Sequence, residues 1–299
     1  MKYFYILPFL IFLSCNSEKI LRENTGSDEQ IILVITDDLW ESEVGNILRG
    51  TFSKELTGLP QSEKLFKLIQ INSSEFTRFF ETNKNIIFVA QNLKNTFVRD
   101  KWSKEQLVFY LNWNGDVKEF KKNCIIAKDE FYKNEIENIF QNQLQIHHTS
   151  ASEFINSEFD LDIYIPTEYT VSAKENNLFI SDFHKFSEQE DLLKYIVIFQ
   201  YVPQSNNIQS EIFFKTDSIL QQYIKGGKEN SFVQIDKRIP VEEKDGIYRG
   251  LWKLENGFMG GPFLMKVRYK KDKIVISIGF VFAANKNKRN FIKTFEALL

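Results

Sequence analysis

At 299 residues the chain is long enough for one large domain or two modest ones, and a body of that size buries a self-sufficient core without a metal or a disulfide. Its 38 basic and 40 acidic residues leave a formal net charge of −2, so no long-range field of one sign attracts a phosphate backbone, and no nucleic acid is expected as a partner. Phenylalanine is frequent, 29 of 299, but it accompanies heavy use of Ile, Lys and Asn, the mixture an AT-rich genome favours, so the aromatic excess is not read as a binding signal.

The chain opens with Met1 and Lys2, a short positive start, followed by an apolar run over residues 3–13 broken only by Pro8. A membrane-spanning helix needs about 20 apolar residues and a signal-peptide core roughly 7 to 15, so this run fits an export signal. Phe12-Leu13-Ser14-Cys15 resembles the bacterial lipobox, with Phe12 where Leu usually stands. The small residue before the cysteine marks the cut, and the thiol takes a diacylglyceryl group. Residues 1–14 are thus expected to be a lipoprotein signal peptide and Cys15 the lipidated residue, its acyl chains of the palmitate class. An ordinary signal peptide or a short uncleaved anchor is the alternative. Residues 15–30 are polar and read as a tether. With Cys15 acylated only Cys124 remains, and its neighbours Ile125, Ile126 and Ala127 place it on the apolar side of a helix.

In chain order, the unbroken apolar run 31–35 predicts a strand covered on both faces. Asp38 and Glu41 then have the spacing of a capping box for a helix running to about Phe52. A strand over 65–71, a helix over 73–81 burying Phe76, Phe79 and Phe80, and a buried strand over 86–90 follow. Residues 106–112 alternate as a strand, and Asn114-Gly115-Asp116 supplies the turn and cap of a helix exceeding seven turns, whose apolar stripe includes Phe120, Cys124 and Phe131. Residues 149–162 are polar and patternless, and the boundary between an N-terminal half (31–148) and a C-terminal half (149–299) is placed there, with one composite domain as the alternative.

The second half reads as antiparallel strands over 169–173, 178–183, 195–202, 212–214, 231–235, 247–254, 263–269 and 274–282. A short helix is expected over 218–224, capped by Thr216 or Asp217 and stopped by Gly226-Gly227, and a last one over 287–298. The fold class is α+β, two α/β-type halves with mainly antiparallel sheet. A strand followed by a long helix occurs once in each half, so an internal duplication is a possibility.

For chemistry, Asp37 and Asp38 stand at the end of a buried strand, where α/β enzymes often hold carboxylates, but helix capping accounts for Asp38 and partly for Asp37. The histidines are His147, His148 and His184, and the adjacent pair points in divergent directions in either a helix or a strand, so no metal and no cofactor are expected. The common nucleotide, hydrolase and metalloprotease motifs do not occur. The best local signature is Phe258-Met259-Gly260-Gly261-Pro262-Phe263, flanked by Arg249, Gly250 and Trp252. Its glycines read as backbone at positive φ, shaping a connection or bulge between strands. Alternatively they let a ligand or partner approach, with Trp252, Phe258 and Met259 as apolar walls and Arg249 as an anion contact.

This loop, with Arg249-Gly250-Leu251-Trp252, Gly279-Phe280-Val281 and Lys288-Arg289, resembles an uncharacterised family of Bacteroidetes lipoproteins, domain-of-unknown-function family 4837. The resemblance implies a lipid-anchored envelope protein, facing the periplasm or the cell surface, with no assigned activity and no functional residue beyond Cys15. The expected role is a noncatalytic module that binds an envelope protein or a small ligand. An envelope hydrolase using scattered carboxylates such as Asp37 is the alternative, and a purely structural role for the loop is a third.

Overall fold

The computed structural model describes residues 20–187 and 191–299. In the N-terminal half, strands β1 (Gln30–Val34), β2 (Lys67–Ile71), β3 (Asn85–Ala90), β4 (Thr96–Arg99) and β5 (Leu107–Asn112) form a sheet in the order β2-β1-β3-β5-β4. Its pairs are parallel except β4 on β5. Burial on both faces is why β1 is an unbroken apolar run. One face carries α2 (Glu43–Phe52) and the 29-residue α4 (Val117–Gln145), which enclose Ile31, Leu33, Phe66, Phe109 and Phe131. Among the described residues no long helix covers the other face. Ile32, Val34, Ile71, Ile86 and Val108 are covered there by the half-buried rings of Phe76, Phe80, Phe88, Trp102 and Tyr110.

Several local expectations change. The helix starting near Asp38 is broken into α1 (Asp37–Trp40) and α2, and the side-chain cap is Ser42, whose Oγ accepts from Val44 N at 3.1 Å and donates to Leu39 O at 2.7 Å. Asp37 and Asp38 lie exposed in the first turn of α1. The segment 73–81 is a 3-10 turn plus the four-residue α3 (Arg78–Glu81), and Phe79, expected inside, is 76% exposed. Asp116 does cap α4, its Oδ1 accepting from Lys118 N and Glu119 N at 2.8 and 3.0 Å. The short β4 carries no alternation of burial that a sequence pattern could register.

The polar stretch after α4 is a helix, α5 (Thr149–Phe159), which buries Ala151, Ile155 and Phe159, one residue per turn at four-residue spacing. The C-terminal half is an eight-stranded sheet of β6 (Thr170–Glu175), β7 (Leu178–Phe186), β8 (Asp191–Tyr201), β9 (Phe232–Ile235), β10 (Glu242–Lys244), β11 (Ile247–Glu255), β12 (Gly260–Lys270) and β13 (Lys273–Ala283). The order is β10-β11-β12-β13-β8-β7-β6, with β9 also on β11, and every pair is antiparallel. Helix α6 (Ile208–Tyr223) covers one face; α5 and α7 (Arg289–Leu298) cover the other.

Residues 212–214, read as a strand, lie inside α6, whose cap is Asn207, accepting from Ser210 N at 3.1 Å. Asp217, read as a cap, instead accepts the Ile235 N–H at 2.8 Å and so holds β9 in place. Helix α6 ends at the extended Ile224, before Gly226, and neither Gly226 nor Gly227 has positive φ. The class is α+β in two halves, and antiparallel pairing predominates across the chain as a whole. A mainly parallel sheet and an antiparallel one of different strand order are not copies of one unit, so the shared strand-then-helix succession is not a duplication.

The halves are joined by charges taken out of water. Arg289, 1% exposed, makes a two-pronged bond to Glu135 of α4 at 2.6 and 2.9 Å and donates from Nε to Leu65 O at 2.8 Å. Glu63 of the first half accepts the backbone N–H groups of Lys288 and Arg289 at 2.7 and 2.9 Å, doing for α7 what a cap residue does, since Lys288 makes no side-chain cap bond. Lys293 is fully buried, 3.5 Å from Glu135, with its ammonium over the Tyr132 ring. Tyr132 in turn donates to Glu296 Oε2, which also pairs with Arg249 at 3.0 Å.

Removing one partner of such a pair leaves an uncompensated buried charge. Glu135→Ala is therefore expected to lower the unfolding free energy by about 3–5 kcal/mol, measured by denaturant titration. Burial pushes the Lys293 ammonium down to about 7, against the opposing pull of Glu135 and Glu296. Between that pH and the ordinary lysine range near 10.5 the unfolded chain binds more protons than the folded one, so stability rises with pH across this window. Relative to Lys293→Met, the natural protein should gain stability from pH 7 to 10, by at most about 1.4 kcal/mol per pH unit. A difference that stays flat with pH would contradict this assignment.

Candidate functional site

The signature loop is the turn between β11 and β12, and the alternation of β11 separates the residues that its sequence brings together. Tyr248, Trp252 and Leu254 enter the core beneath α6, while Ile247 points to the opposite face, as does Arg249. Arg249 is committed to Glu296 of α7 and stands away from Trp252, so the two do not share one contact surface. Its backbone and Cβ lie against Gly58 of the first half, which has φ +75 and no room for a side chain.

Trp252 is 2% exposed, and its indole Nε1 donates to the Val281 carbonyl at 3.1 Å. That carbonyl crosses directly over Gly261, where an added Cβ would stand 2.1 Å from it. Gly261 is required by close approach, not by positive φ: neither Gly260 nor Gly261 has positive φ, and the left-handed residue of the turn is Asn256, at φ 54. Gly260, Gly261 and Pro262 are the first residues of β12, opposite Lys253, Trp252 and Leu251. The pairing of β12 with β13 starts at Phe263, so the missing donor of Pro262 falls beyond the end of that ladder.

The turn closes through Leu254 N to Met259 O at 2.8 Å. Met259 is half-buried against the core, whereas Phe258 is 87% exposed, edge-on to Phe282 with ring centres 6.3 Å apart. Beside it runs a groove of about 430 Å³, lined by Pro60, Asp236, Arg238, Lys253 and Glu255 as well as the turn. Arg238 grips Asp236 with two bonds of 2.8 and 2.7 Å, and Lys253 holds Glu255 at 2.6 Å. Hydrogen bonding to Arg238 lowers the Asp236 carboxyl below its ordinary range, and hydrogen bonding to Lys253 does the same for Glu255. Both remain ionised acceptors at neutral pH, and each is locally neutralised. Sequence reasoning missed Arg238 because its only signal, an Asp-x-Arg succession after a strand, is common in loops.

The other candidates are scattered. Asp37 accepts from Gln70 Nε2 at 3.0 Å. His147 bonds to Leu144 O, His148 to Tyr169 O and His184 to the Tyr195 hydroxyl. Cys124 is fully buried, and desolvation pushes its thiol up to about 12, so it is no nucleophile at neutral pH. Among the described residues no group of three His, Cys, Asp or Glu side chains is placed to hold a metal ion, and no helix is long and apolar enough to cross a membrane. The expected lipidation residue, Cys15, lies outside the described residues.

These placements divide the signature into a rigid base and an exposed tip. Gly261→Ala should cost at least about 1–3 kcal/mol of stability, because β13 has to move to admit the methyl group, whereas Phe258→Ala should change it by less than about 0.5 kcal/mol. Paired denaturant titrations distinguish them, and equal losses would refute the division.

Comparison with known protein families divides the chain in two. Residues 24–147 match a domain of unknown function (DUF8532), and residues 148–299 match another domain of unknown function (DUF4837). No curated protein matches the chain. The second match holds α5, the whole antiparallel sheet, α7 and the hairpin with its groove-lining turn, and it spans just over half of the sequence. The chain belongs to the family defined by that domain of unknown function, DUF4837.

Proposed function

We propose that this protein is a membrane-anchored envelope lipoprotein whose body is a noncatalytic module, binding an envelope protein or a small ligand at the β11–β12 turn. The observation that carries the binding role is Phe258. A large apolar side chain held 87% exposed at the tip of a hairpin whose base is pinned by Trp252 and Gly261 loses little conformational freedom when a partner covers it. The groove beside it offers Arg238 and Glu255 as polar contacts for the rim. The anchor is carried by the apolar run over residues 3–13 ahead of Ser14 and Cys15, and two or three acyl chains on one cysteine make attachment effectively permanent.

The test uses the full chain expressed in a bacterium, with a photo-crosslinking residue at 258. Intact mass should show loss of residues 1–14 and a diacylglyceryl adduct on Cys15, and irradiation should trap one discrete envelope partner that the Cys15→Ala form fails to trap. An unmodified Cys15 would refute the anchor. Turnover of a peptidoglycan, peptide or ester substrate that disappears in Asp37→Asn would replace the binding module by a hydrolase.

A further inference from the structure

The stretch expected to tether the body is bonded to it almost from its first described residues. Lys104 N donates to Arg22 O at 2.9 Å, Asn24 Nδ2 to Lys104 O at 3.1 Å, Thr25 N to Thr82 O at 2.8 Å and Lys84 N to Thr25 O at 2.8 Å. From Arg22 onward the chain is therefore part of the body, lying along the segments that lead into β3 and β5. Cys15 and Arg22 are seven residues apart, which at full extension is about 25 Å, and Ile20 is within about 18 Å. A lipid on Cys15 cannot hold the body far from the bilayer.

The two most exposed large apolar side chains among the described residues of the N-terminal half lie near this point of entry. Ile20 is 93% exposed and Phe79 76% exposed. Ile20, Leu21, Arg22, Arg78, Glu81, Thr82 and Trp102 line a cleft of about 340 Å³. Trp102 is half-buried, its ring against Phe76 at 6.1 Å, and Lys101 sits over its face at 4.0 Å. Phe79 packs edge-on to Phe80 at 5.2 Å, on the side of the sheet that rings cover in place of a helix. Apolar side chains, a tryptophan and arginines on one surface form the combination that settles at the headgroup level of a membrane. Arg22 and Arg78 outnumber Glu81, the carboxylate among the cleft-lining residues, and so add attraction to anionic headgroups.

We infer that this face, built on Ile20, Arg22, Arg78, Phe79 and Trp102, docks the body onto an anionic bilayer surface, so that the protein lies on its membrane in one orientation. The inference rests on the anchor reading proposed above. It places the leading ends of β3 and β5 at the lipid and their far ends, where α4 begins, six strand residues or about 20 Å further out.

The experiment takes the acylated full chain in vesicles of phosphatidylethanolamine and phosphatidylglycerol that carry nitroxide-labelled lipid. A bimane fluorophore is attached at Phe79→Cys or at Lys118→Cys, an exposed position at the start of α4. The natural Cys124 is fully buried and takes no label. Mass spectrometry of the same samples establishes whether Cys15 is acylated. Docking predicts severalfold stronger quenching at 79 than at 118, reduced when Arg22 and Arg78 are both replaced by Glu while acylation is unchanged. Equal quenching at the two positions in acylated protein would overturn the docking and leave the anchor standing. Absence of acylation would overturn both.

Discussion

Glu135 and Arg289 are buried together between α4 and α7, and neither charge is tolerable there without the other. This constraint sets the relation of the two halves more narrowly than apolar packing could, because a two-pronged guanidinium–carboxylate bond fixes direction as well as distance. Glu63 adds a second directional restraint by closing the first turn of α7 from the other half of the chain. Once α7 is held this way, Glu296 comes to Tyr132 and Arg249, and β11 is fixed on its outer face. The buried face of α4 shows the same logic. Its apolar positions Phe120, Cys124, Ala127 and Phe131 give way to Asn134 and Glu135, polar residues that stay buried because a cation from the second half meets Glu135 and Arg99 meets Asn134.

The hairpin of β11 and β12 inherits that rigidity. Trp252 and the Val281 carbonyl hold its inner side through a contact that leaves room for nothing larger than Gly261, and Arg249 holds the outer side. What is left over is the turn itself, with Phe258 at the tip and two self-neutralised ion pairs beside it. For the binding role we propose, such a rim would discriminate by hydrogen bonding and shape more than by net charge, since a ligand of either sign would meet a cation and an anion together.

The N-terminal sheet has a different asymmetry. Helices cover one side, while on the other the half-buried rings of Phe76, Phe80, Phe88, Trp102 and Tyr110 do the covering. Rings cover area economically but leave edges exposed, and Phe79 and Ile20 extend that apolar character to the surface where the chain enters the body. The docking we infer gives this thin cover a second layer.

Length, charge and periodicity in the sequence already determined an α+β chain, the buried strands β1, β3 and β5, the cap and great length of α4 and the succession of strands β11 to β13. Each of these depends on residues near one another in the chain. Local pattern also carries two weaker signals: the four-residue spacing of Ala151, Ile155 and Phe159 marks α5, and the parity of 249 and 252 separates Arg249 from Trp252. Only the tertiary structure could decide that Gly261 answers to Val281, that Asp217 serves β9, that Glu63 caps a helix 225 residues away and that Glu135 waits for Arg289. The reason is physical. A hydrogen-bond donor or a buried charge must be satisfied by whatever group the fold brings within about 3 Å, and sequence distance places no limit on which group that is.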